Sequence, residues 1–125
     1  MSERRVVRVG RVLLALAFVG AGGLHLVSPS TYDPAMPPWV PLPRVLILVS
    51  GLAEIAGGLG LLVPGVRRAA GWGLALLLVA VYPANVHLAI EGLGGPAWAL
   101  WGRLPLQGML VAAVLRASGA VSGRA

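Results

Sequence analysis

Glu54 stands near the middle of the apolar run 45–63, where a carboxylate is costly unless it is protonated, paired or turned toward a polar cavity. Other groups able to hold protons or oxygen atoms fall in comparable runs: His25 near the end of 9–27, Asn85 and His87 late in 69–90, Arg103 and Gln107 within 96–116. A carboxylate and an imidazole can accept or relay protons, and guanidinium and amide groups can orient carbonyl oxygens. Each also has a plainer reading. Glu54 can be a structural ion pair or hydrogen bond, with Arg103 the natural partner by depth. Arg103 can instead snorkel to an interface. His25 can be a satisfied helix-end histidine, His87 an interface residue, and Asn85 and Gln107 interhelical hydrogen-bonding residues.

The elements that must position these groups are transmembrane helices. The chain is 58% hydrophobic and 11% charged, with a mean hydropathy of +0.86. A soluble domain carries about 25% charged residues. Four crossings are expected, near 9–27, 45–63, 69–90 and 96–116, as one antiparallel all-α membrane domain over 1–125. The stretch 104–115 is too short to span alone, and a start at Pro96 lengthens it, because Pro suits the first turn of a helix. That start places Arg103 and Gln107 inside the membrane.

The net charge of +6 comes from Arg alone. Its arginines sit at segment ends, as topology is written, and a nucleic-acid partner is excluded. Arg4, Arg5, Arg8 and Arg11, then Arg67 and Arg68, then Arg116 and Arg124 place both termini in the cytoplasm. Trp39, Trp98 and Trp101 are expected at the outer interface and Trp72 at the inner one. The basic start of the first run has the form of a signal peptide, but the run is long for one. The absence of Cys excludes disulfides, thiol redox chemistry and Cys-ligated metals. His25, His87 and Met36 lack close ligand spacing, so no metal site is assigned.

At about 1.5 Å per residue, Glu54 lies roughly 15 Å below the outer boundary, with Gln107 level with it and Arg103 one turn higher. The polar groups thus occupy the outer half. Ala17, Ala21 and His25 share one face, and Ser50, Glu54 and Gly58 another, with small residues that permit close helix approach. Tyr82 and Asn85 flank Pro83, which frees the Val79 carbonyl. The outer loop, 28–43, carries five prolines from Asp33 onward. It is expected to be stiff and extended, sunk into the interface through Tyr32, Met36 and Trp39, either as a connector or as a cap over a site.

Four stretches carry a family resemblance: Gly23-Leu24-His25-Leu26 followed by Pro29, Tyr32 and Met36-Pro37-Pro38-Trp39; Ser50-Gly51-Leu52-Ala53-Glu54-Ile55-Ala56-Gly57-Gly58; Tyr82-Pro83-Ala84-Asn85-Val86; and Arg103-Leu104-Pro105-Leu106-Gln107. In order and spacing the chain resembles the DoxX-like family of small four-helix bacterial membrane proteins. Leu26 departs from it, since the family often has Phe after the His. The resemblance implies a bacterial plasma-membrane location and an accessory role beside a respiratory partner such as a quinol oxidase or thiosulfate:quinone oxidoreductase. A quinone is the implied ligand, held by His25, Glu54, Asn85, Arg103 and Gln107, with Tyr32, Trp39, Tyr82 and His87 as secondary candidates. Independent catalysis is not expected, because no bound redox centre is encoded. Two other readings stay open: an assembly protein whose polar cluster only locks helix packing, and a small-molecule transporter. Self-association in the bilayer is compatible with each.

Overall fold

The computed structural model describes residues 2–121 and is all-helical among them. Four helices, α1 (Glu3–Val27), α2 (Pro43–Leu61), α3 (Arg67–Glu91) and α4 (Ala97–Ala117), are each long and apolar enough to cross a membrane. The protein is therefore a small multi-pass membrane protein built as an antiparallel four-helix bundle. Arg124, assigned above to the C-terminal flank, lies outside the described residues.

The helix ends follow from local chemistry. Ser2 caps α1 by accepting the Arg5 amide at 3.2 Å, and Glu3 stands in the first, electropositive turn. This cap starts α1 six residues before the expected position 9, so a basic extension precedes the apolar run. Pro43 opens α2, and Gly92, at φ 67°, closes α3 in the left-handed conformation that glycine adopts readily. The fourth helix begins at Ala97, directly after Pro96.

The loop differs from expectation. Its first half, Pro29–Ala35, is a 3-10 helix rather than an extended chain, and it contains Pro34. Such a turn tolerates proline where few amides need a partner. Beyond it, Pro37 is buried. Asp33 and Arg44 pair at 3.0 Å, tying the 3-10 helix to the start of α2. Leu42 holds φ 49° between two prolines, which turns the chain sharply into α2.

Helix α2 packs against α1 and α3, and α3 packs against α4; α1 and α4 touch only lightly. Toward the end bearing the termini, Phe18, Leu61, Leu74, Leu78 and Val114 form one apolar core. Toward the loop end, Leu88, Ala89 and Leu100 form a second, covered by Ala35 and Leu104. Trp39, Trp98 and Trp101 are exposed at the loop end and Trp72 toward the opposite end, consistent with amphipathic rings at two interfaces.

Candidate functional site

The site is built on the crossing of α1 and α2. A Cβ added to Gly22 would lie 2.5 Å from the Gly51 carbonyl, and one added to Gly51 would lie 2.5 Å from the Cβ of His25. Only hydrogen fits at either place, so the two backbones meet there. His25 packs over Gly51, and Glu54 packs beside Gly22, each three residues beyond the glycine of its own helix. The buried stripe on α1 runs through Ala15, Phe18 and Gly22 rather than Ala17 and Ala21. On α2 it runs through Ile47, Gly51, Gly58 and Leu61, which includes the expected Gly58 but not Ser50.

His25 is held from three directions. Its Nδ1 lies 3.1 Å from the Ile47 carbonyl. A carbonyl only accepts, so Nδ1 carries the proton and donates, which leaves Nε2 facing inward. Nε2 stands 3.9 Å from Oε2 of Glu54. The Tyr32 ring lies across the imidazole, with centroids 4.0 Å apart and planes tilted by 58°. The loop thus lids the pair through Tyr32. Its phenol is pushed above the usual tyrosine range by burial, then by the Glu54 carboxylate, with Arg103 acting in the opposite direction.

Glu54 is the unusual member. Its Oε2 is buried and has no hydrogen-bond partner among the described residues, and its side chain is only 13% exposed. A separation of 3.9 Å is too long for a direct hydrogen bond to His25. One oxygen placed about 2.8 Å from both Nε2 and Oε2 would close the gap at an angle of roughly 90°. A proton must lie between a neutral Nε2 lone pair and a carboxyl oxygen for the two to attract, so the pair is suited to a ligand hydroxyl, which can donate to Nε2 and accept from the carboxyl O–H of a protonated Glu54.

Asn85 and Gln107 belong elsewhere. The Asn85 amide donates to Oε1 of Gln107, whose own amide donates to the Leu78 carbonyl. Pro83 removes the amide that would serve Val79, and Gln107 takes the carbonyl next to it. These residues form a satisfied bridge between α3 and α4. Arg103 is exposed and makes no ion pair with Glu54; depth had matched them, but the azimuth of α4 does not. His87 is half-buried, Tyr82 is 39% exposed and Trp39 is 73% exposed, and none touches the His25–Glu54 pair through a hydrogen bond or ring contact. Two open surface depressions of about 390 and 540 Å³ lie along α3–α4 and on α4, and neither is lined by His25 or Glu54. No cluster of three metal-ligating side chains occurs among the described residues.

The glycines and the Ile47 carbonyl escaped the sequence reading. The signal was available as Gly-x-x-His on α1 and Gly-x-x-Glu on α2.

No curated protein and no solved structure matches the chain. One family profile does, over residues 14–118, from within α1 to the end of α4, and so includes the His25–Glu54 crossing, the loop and the Asn85–Gln107 bridge. The chain therefore belongs to the family described as Domain of unknown function (DUF8561).

Proposed function

We propose that this protein is an accessory membrane subunit that holds a flat, oxygen-bearing amphipathic molecule, foremost a quinone, against His25, Glu54 and Tyr32. The observation that carries the reading is the buried Oε2 of Glu54, without a partner and facing an imidazole whose other nitrogen is already committed. Buried carboxylates in lipid are retained where they bind or move protons. Glu54 and His25 would bridge one hydroxyl of the quinol form, with Nε2 accepting its O–H and a protonated Glu54 donating to its oxygen, while the Tyr32 ring covers His25 from the loop. The resemblance to DoxX-like proteins supports a quinone and a respiratory partner that supplies the electrons. A bacterial plasma-membrane location with both termini cytoplasmic goes with this reading, on the Arg distribution. Single cysteines introduced at Ser2 and Ser30 should be labelled by an impermeant thiol reagent from opposite sides.

The test is affinity purification from native membranes, followed by protein, lipid and quinone analysis of wild type and Glu54→Gln at equal folded amounts. A quinone or redox subunit retained by wild type and lost by the variant is expected. Absence of both from wild type would refute the proposal. The assembly reading draws its support from the Asn85–Gln107 bridge, whose donors and acceptors are already matched.

A further inference from the structure

The end of the bundle that carries the termini has a chemistry of its own. Every described arginine except Arg44 and Arg103 lies there, and Glu3 is the acid at that end among the described residues. Glu3 stands 4.0 Å from Arg116, with both side chains exposed. Arg11 and Arg67 are different. Arg11 donates its Nε–H to the Ala117 carbonyl at 3.0 Å, and Arg67 donates its Nε–H to the Leu61 carbonyl at 2.7 Å. Both acceptors are last-turn carbonyls, of α4 and α2, which need donors.

Each guanidinium is thereby fixed through Nε, leaving its Nη1/Nη2 fork without a protein partner among the described residues. The side chains start on different helices yet converge, because Gly71 of α3 sits directly on Ser118 of α4 and brings the start of α3 against the end of α4. Arg8 stands one turn before Arg11 on α1, and Arg67 stands one turn before Gly71, which meets Ser118 beside the Ala117 carbonyl that holds Arg11. Among the described residues, no carboxylate pairs with Arg8, Arg11 or Arg67. A carbonyl cap would need only one donor, whereas this arrangement leaves several donors unspent on three arginines at one end of the bundle. A planar fork fits a phosphate bidentately.

The level of the cluster decides which phosphate. Arg11 lies where the apolar part of α1 begins, and Arg67 and Ala117 mark the limits of α3 and α4. Trp72, one turn and a half into α3, is exposed at the adjoining depth. That is the headgroup zone of a bilayer. We propose that Arg8, Arg11 and Arg67 form a binding site for the phosphodiester headgroup of an anionic lipid. It is separate from the His25–Glu54 pair and does not depend on what fills that pair. Basic pockets between transmembrane helices take such headgroups for the same electrostatic reason.

The full chain in a neutral detergent, titrated with short-chain phosphatidylglycerol, short-chain phosphatidylcholine or inorganic phosphate, tests this with bound lipid read by native mass spectrometry. Wild type should prefer phosphatidylglycerol to phosphatidylcholine. Arg11→Gln with Arg67→Gln should lose about 20-fold or more of that binding, whereas Arg4→Gln with Arg5→Gln, equal in charge removed, should stay within about twofold. Equal losses in the two double variants would overturn the site in favour of diffuse charge. Displacement of phosphatidylglycerol by equimolar inorganic phosphate would overturn the lipid as its ligand. Arg8→Gln breaks no hydrogen bond in the fold, so it serves if the first double variant fails to fold. A loss of about fivefold is expected from it, and unchanged binding would overturn the proposal.

Discussion

Two polar clusters lie within the same bundle, and they are completed differently. On α3 and α4, Asn85, Gln107 and the Leu78 carbonyl match donor to acceptor, and Gln107 is only 4% exposed. On α1 and α2, His25 is anchored and covered by the tilted Tyr32 ring, but the buried oxygen of Glu54 is left over among the described residues. A matched bridge stabilises packing and has no capacity left for a ligand. An unmatched carboxyl costs stability and keeps its capacity. The contrast separates a satisfied helix lock from an unsatisfied pair, a distinction that depth along the helices does not show.

The comparison can be broken or sharpened by substitution. The largest effect is expected from Gly51→Leu, which forces a side chain into His25 and should cost about 3 kcal/mol, read as thermal unfolding in detergent. It should also abolish ligand retention. Gln107→Leu strands the Asn85 amide and the Leu78 carbonyl and should cost about 1–2 kcal/mol, with ligand retention unchanged in the folded fraction. If instead retention falls with Gln107→Leu, the two clusters act together and the distinction fails. Glu54→Leu breaks no hydrogen bond made by Oε2 and removes a buried polar atom, so stability should hold or rise by about 1 kcal/mol.

The smallest effect concerns Tyr32. Its phenol is raised in the fold, so below the ordinary tyrosine value near 10 it is protonated whether the chain is folded or not. Above that value the unfolded chain loses the proton first, and stability falls as pH rises through the folded value. Tyr32→Phe should flatten this alkaline loss. The chain has no Lys to obscure the titration.

Helix number, order and approximate limits were legible because hydropathy runs and Pro/Gly punctuation report directly on crossings. Pro96 before Ala97 is the clearest case. Residue spacing gave the height of each polar group but not its azimuth. Arg103 and Glu54 share a depth zone, yet α4 lies against α3 and turns Arg103 outward. Small residues at spacing four point to a packing stripe on each of α1 and α2. The actual contact is set by two glycines, where backbone meets backbone, and that pairing is a property of two helices together. The 3-10 helix is not legible in the loop prolines, because proline disfavours a continued α-helix yet fits a short 3-10 turn.

The most direct measurement of the central claim is paired on one residue: unfolding temperature and co-purifying quinone for wild type, Glu54→Gln and Glu54→Leu, at equal folded amounts. If the proposed ligand is held by this pair, wild type retains quinone, both variants lose it, and Glu54→Leu unfolds at or above the wild-type temperature. A Glu54→Leu protein that unfolds clearly lower, with wild-type retention of the bound molecule, would contradict it and make Glu54 part of the packing.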